Sequence, residues 1–139
     1  MKYSILKFKR NEKHTMRDLE KLRGFLADKY KENVLFHNHL SDGYNYSYPK
    51  LQYKLITNTL SVMGIGEEVI EINKRLFEEV DYLNIDGNFI FDIQKELEIC
   101  DEEIKYTGDK MYEYRFVTPY LPLNDKNFSK YLKREYTLE

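Results

Sequence analysis

Two histidines, four tyrosines and two lysines stand within the nineteen residues FHNHLSDGYNYSYPKLQYK at positions 36–54. His37 and His39 are the groups best suited to moving protons, since an imidazole titrating near ~6.5 both accepts and donates at neutral pH. Two apart on extended backbone, they emerge on the same side about 7 Å from one another. Metal-free cleavage of RNA needs a base for the 2′-hydroxyl, an acid for the departing 5′-oxygen and a cation for the phosphorane. A histidine, a tyrosine hydroxyl and Lys50 or Lys54 together supply those three functions.

Other chemistries compete for the same residues. A metal would take His37 and His39 as two ligands but needs a third and a fourth. His14 is the only further histidine, Cys100 the only cysteine, and nothing pins Asp42 beside the pair, so no metal or other cofactor is expected. The letters HNH do not indicate the metal nuclease of that name, whose ligands are spread over a ββα unit. Tyr44, Tyr46, Tyr48 and Tyr53, interleaved with lysines, suit a stacking surface for single-stranded nucleic acid. They equally suit an ordinary half-buried strand. Residue types alone leave these readings open.

The chain that must position them has 139 residues, enough for one domain with its own core. A formal net charge of -2 argues against a generally basic nucleic-acid-coating protein but leaves room for a local basic patch. A lone cysteine permits no internal disulfide, which fits a reduced cytoplasmic setting. No apolar run approaches the ~18 residues of a membrane span, so no membrane partner is expected.

Hydrophobic spacing predicts the elements. Residues 2–9 alternate as a strand, with Leu6 and Phe8 on one face and Tyr3 and Ile5 on the other. Thr15 and Asp18 form a capping box for a helix over 15–31, whose apolar stripe is Met16, Leu19, Leu22, Leu26 and Tyr30. Residues 34–40 read as extended. Pro49 then interrupts the chain before a strand at 50–57, a turn at Asn58-Thr59 and a strand at 60–65. A second helix over 67–80 follows Gly66, with Val69, Ile72, Leu76 and Val80 on one stripe. The stretch 84–88 is a turn; 93–106 and 110–117 are strands joined around Gly108-Asp109. Pro119 and Pro122 end that pair, and 125–136 forms a short helix. This order is an α+β, ferredoxin-like (RRM-type) βαββαβ sandwich with an additional β-hairpin, in a single domain whose second sheet face is free for a partner.

The pieces KLRGFLADKY, LFHNHL, YSYPKLQYKLI, VMGIGE and YRFVTPYLPLN, in that order over residues 21–124, carry a more specific signal. Together they resemble the N-terminal part of the CRISPR-associated repeat-processing endoribonucleases, subtype I-B branch, of the RAMP superfamily. That resemblance implies metal-independent cleavage within the repeat of precursor CRISPR RNA, leaving a 2′,3′-cyclic phosphate. It makes His39 and His37 the catalytic candidates, His39 first, with Tyr46, Tyr48 and Lys54 beside them. Tyr44, Lys50, Gln52 and Tyr53 become RNA-binding candidates. It further implies a domain over 1–124, with 125–139 beginning a helix or linker toward a second domain that carries a glycine-rich RNA-gripping loop. CRISPR repeat RNA is the implied partner; other CRISPR effector proteins or a second copy of the chain are further candidates. The rival reading is a non-catalytic single-domain relative acting as an RNA- or protein-binding mimic, as a CRISPR inhibitor or regulatory module would.

Overall fold

The computed structural model describes residues 1–36, 39–40, 43–44 and 49–115. Strand β1 (Lys2–Lys9) alternates as its sequence predicts: Ser4, Leu6 and Phe8 are fully buried, while Tyr3, Ile5 and Lys7 are half-buried on the other face. A strand so apolar on one face belongs at the centre of a sheet. It pairs antiparallel with β5 (Thr59–Ile65) on one side and with β8 (Gln94–Asp101) on the other. Strand β4 (Gln52–Ile56) closes a hairpin onto β5, so the sheet order is β4-β5-β1-β8. Helix α1 (Met16–Lys29) links β1 to the β4–β5 hairpin, and α2 (Glu67–Glu79) links β5 to β8. This is the ferredoxin-like α+β sandwich.

Both helices bury their stripes against Leu6, Phe8, Leu60 and Val62, except that Met16, expected on the α1 stripe, stays exposed in the first turn of the helix. The α1 capping box forms in both directions: Thr15 N–H donates to Asp18 Oδ2 at 2.9 Å, and Asp18 N–H to Thr15 Oγ1 at 3.5 Å. On α2 the fully buried Asn73 amide donates to Ser4 Oγ (2.9 Å) and to the Val62 carbonyl (3.2 Å). That polar pin ties the helix to two strands at once, and its register would be costly to shift because a buried donor must keep a partner. The opposite sheet face carries ion pairs, Lys7 with Glu98 at 3.0 Å and Lys9 with Glu96.

Several boundaries differ from the sequence-based expectation. The β4–β5 turn is Thr57-Asn58, one residue earlier than expected, because pairing sets Ile56 opposite Thr59. Both turn residues have positive φ (50° and 60°), the two-residue geometry that matches strand twist. Residues 34–40 are not one extended run: Val34–Phe36 make a 3₁₀ turn before the two-residue strand β2 (His39–Leu40), which pairs with β3 (Gly43–Tyr44). The expected turn at 84–88 is present at Asp86-Gly87, but it joins two short strands, β6 (Leu83–Ile85) and β7 (Asn88–Ile90). The strand expected to reach 106 ends at Asp101, and 110–115 is not a strand. β8 runs along β1 as far as the Lys2–Asp101 pair, and Glu102 N–H donates to the Met1 carbonyl. The turn at Gly108-Asp109 is observed; residues 116–139, including Pro119, Pro122 and the expected helix, lie outside the described residues.

His14 is buried where α1 begins. Its backbone N–H donates to the Asn58 carbonyl (3.1 Å), its Nδ1 lies 3.5 Å from Asp18 Oδ2, and its Nε2 has no partner among the described residues. Burial holds the imidazole below its ordinary value, outweighing Asp18. The folded chain therefore keeps His14 neutral where the unfolded chain takes up a proton near ~6.5. The stability due to neutral His14 is fully present above about pH 6.5 and is lost as the pH falls below it. Thermal melts of wild type and His14→Gln from about pH 7.5 to pH 5 check this: the wild-type curve should fall more steeply on acidification than that of the variant.

Candidate functional site

The residues that precede the histidine segment are well anchored. The α1 C-cap, Tyr30, gives its hydroxyl to Glu79 Oε2 on α2 at 2.8 Å and lies under the Arg75 guanidinium, 5.0 Å from the ring centre. Burial pushes this phenol well above its ordinary value, and the same hydrogen bond holds the Glu79 carboxyl below its own. Phe36 stacks on Tyr30 with centroids 5.1 Å apart and planes 18° apart. Asn33 makes the turn between them, its Oδ1 accepting from Leu35 N–H (3.0 Å) and its carbonyl from Phe36 N–H (3.1 Å).

The return is pinned as firmly. Leu51 enters the core at 5% exposure, and the Lys50 ammonium meets Glu68 Oε2 at 2.6 Å. The Lys50 carbonyl lies 2.2 Å from where a Cβ on Gly64 would be. Gly64 is the position of β5 that permits this passage. It is a close-packing glycine within a strand, not the turn residue its Gly-Ile-Gly context suggests.

Residues that precede and follow 37–48 thus line one cavity of about 500 Å³ between α1 and β4. Leu35 and Phe36 before the segment and Pro49 and Leu51 after it are in the lining; Leu19, Glu20 and Arg23 of α1 and Gln52, Tyr53 and Lys54 of β4 complete it. The Tyr53 hydroxyl is buried without a partner among the described residues. Burial pushes the phenol up to about 12, with Arg23 opposing the shift. It therefore stays protonated at neutral pH and serves as a hydrogen-bond donor, not a base. An unpaired buried hydroxyl costs about 1–3 kcal/mol, so an acceptor arriving in the cavity is favoured.

Among the candidate residues, Gln52, Tyr53 and Lys54 come together at the cavity. Lys50 does not line it, being turned toward Glu68; that pair is exposed and therefore weak. The β2–β3 ladder sets His39 opposite Tyr44. His37, Tyr46 and Tyr48 lie outside the described residues, as do the side chains of His39 and Tyr44. Among the described residues no three histidine, cysteine or carboxylate groups converge to hold a metal. Glu20 and Arg23 were not anticipated. Each follows a core leucine by one position, so helical period places them on the flank beside the Leu19–Leu22–Leu26 stripe. Two cations, a phenol donor and apolar walls suit a phosphate with its attached nucleoside.

Comparison with known proteins narrows the choice. A family model for the Cas6b N-terminal domain matches residues 1–105. A solved structure described as Cas6b is 33% identical, superposes with a TM-score of 0.70, and is matched over 95% of this chain and 61% of that one. Another, described as the CRISPR RNA processing endoribonuclease Cas6b, is 27% identical over 96% of this chain and 57% of that one, with a TM-score of 0.49. The chain therefore spans about three-fifths of the length of these relatives. No curated protein matches.

Gly64→Ala tests how the return of the segment is seated. A methyl group facing a backbone carbonyl at 2.2 Å must displace the 49–51 strand entrance, at a cost of about 2–3 kcal/mol. Chemical denaturation should show that loss, with increased proteolysis between residues 36 and 54; unchanged stability would contradict the close passage.

Proposed function

The chain belongs to the Cas6b family through its N-terminal domain, and on that premise we propose that it carries the histidine-bearing part of a metal-independent endoribonuclease that cuts CRISPR repeat RNA. The observation that supports this most is the cavity lined by the residues on either side of the histidine segment, together with Arg23, Lys54 and the Tyr53 phenol, which has no partner among the described residues.

The reaction needs no group from outside the chain and its RNA. A histidine, His39 first and His37 as its neighbour, takes the proton of the 2′-hydroxyl. The 2′-oxygen then bonds to the adjacent phosphorus, and the bond from phosphorus to the 5′-oxygen breaks. The second histidine, or the hydroxyl of Tyr46 or Tyr48, gives a proton to that 5′-oxygen. The products are a 2′,3′-cyclic phosphate and a 5′-hydroxyl. Lys54 and Arg23 supply positive charge to the phosphorane, and Tyr53 donates to one of its non-bridging oxygens. Lys50 exchanges Glu68 for an RNA phosphate, Gln52 bonds a base or sugar edge, and Tyr44 stacks on a base. The whole protein's grip on RNA is completed by the part of the family's length that this chain does not span, with a second copy or other CRISPR effector proteins as further partners.

The test uses the full-length gene product and its own repeat RNA in excess EDTA. Wild type should cut at one position and leave a 2′,3′-cyclic end. His37→Ala/His39→Ala should lose at least about 100-fold in cleavage rate while still binding the RNA. Loss of wild-type activity in EDTA, or full activity in the double variant, overturns the mechanism. Binding without any cleavage by wild type assigns the chain to the non-catalytic RNA-binding reading.

A further inference from the structure

The other flank of α1, facing away from the cavity, carries an exposed aromatic cluster that the reaction above does not use. Tyr82 is its centre: its ring lies 5.7 Å from Phe25, 5.9 Å from Phe89 and 5.5 Å from Phe91, centroid to centroid. Phe89 and Phe91 remain 60% and 70% exposed. They are held, not loose. Ile85 and Ile90 of the β6–β7 hairpin are buried, the Asp86-Gly87 turn takes positive φ at both residues, and Asn84 Oδ1 accepts from Gly87 N–H at 2.9 Å. Two large rings fixed in water at a rigid hairpin are the kind of apolar exposure that marks a binding surface.

The charges beside the rings identify the occupant. Arg17, Lys21, Phe25 and Lys29 recur every four residues along α1 and so share one edge of the helix. Lys29 Nζ sits 5.7 Å from the Tyr82 ring centre. Arg17 and Lys21 both reach Asp86, at 3.4 and 3.5 Å, so one carboxylate answers two cations. The acids that flank the rings in sequence are already engaged, Asp81 by Lys95 and Asp92 by Arg10. A line of cations beside open ring faces complements a polyanion whose bases are unstacked, which is single-stranded RNA. A duplex keeps its bases inside the helix and offers no such faces.

We propose that the α1 edge and the β6–β7 hairpin form a second RNA-contact surface, on which bases of a single-stranded segment stack on Phe89 and Phe91 while Arg17, Lys21 and Lys29 meet its phosphates. The surface is separated from the cavity by the width of one helix, about 10 Å. One RNA strand can therefore engage both. The stacking itself does not depend on the cleavage reading.

The test measures anisotropy of fluorescein-labelled oligouridylate of fifteen nucleotides, which contains no repeat sequence, against the full-length protein across a salt series. F89A/F91A removes exposed rings only, and circular dichroism confirms its fold. It should bind the probe at least about ten-fold more weakly while cutting a minimal repeat at the wild-type rate. K21A/K29A should lower the slope of log affinity against log salt by about 0.7 per lysine removed. His37→Ala/His39→Ala should retain probe binding, which separates this surface from the cleavage site. Wild type that does not bind the probe, or F89A/F91A that binds it undiminished, overturns the proposal. A change from dimer to monomer in F89A/F91A with undiminished probe binding also overturns it and assigns the rings to contact between copies of the chain.

Discussion

The passage of the Lys50 carbonyl over Gly64 is the constraint on which the candidate site depends. A backbone oxygen occupies the space of an absent Cβ, so the chain can descend from Pro49 into the core at Leu51 and begin β4 in register with β5. With that register set, Tyr53 and Leu55 point toward the helices, opposite Val62 and Leu60, and Gln52 and Lys54 alternate with them. The other end of the histidine segment is fixed by a separate device, the Tyr30–Phe36 stack braced by Glu79 and Arg75. Both flanks of the histidine segment are thereby fixed beside the cavity.

Helix α1 organises the rest. Its core stripe buries Leu19, Leu22 and Leu26 against the sheet. One flank contributes Glu20 and Arg23 to the cavity, and the other contributes Phe25 and Lys29 to the aromatic surface. A single helix thus positions two surfaces with different chemistry: a cleft with a buried donor in its lining, and an open surface with exposed rings. The capping box and the buried His14 hold its start, while the Tyr30 cap holds its end. Displacement of either end would be felt at both surfaces.

Much of this was legible in the sequence, for identifiable reasons. The β1 alternation, the Thr15–Asp18 box and the stripes of both helices are local periodic signals, and each describes an element that forms. What failed was decided by distant partners. Val34–Phe36 look extended, but Asn33 and the Tyr30 ring fold them into a 3₁₀ turn. Strands β6 and β7 are three residues each, too short for alternation to register, although Asp86-Gly87 carried the hairpin signal. The apolar residues of 102–115 suggest strand, yet the β1–β8 ladder ends at the Lys2–Asp101 pair. At the site, β4 alternation led to Gln52, Tyr53 and Lys54. Arg23 was not found, because sequence shows which residues flank a stripe but not which flank meets a cavity.

The central claim is that RNA is processed where the histidine segment meets the α1–β4 cavity. Ultraviolet cross-linking of the cognate repeat RNA to the full-length protein, with mass spectrometry of the nucleotide-bearing peptides, tests it most directly. Adducts within residues 36–54, centred on the tyrosines and lysines of that stretch, are the predicted result, whether or not further adducts occur on the β6–β7 hairpin. Efficient cross-linking that leaves 36–54 without a nucleotide adduct would contradict it.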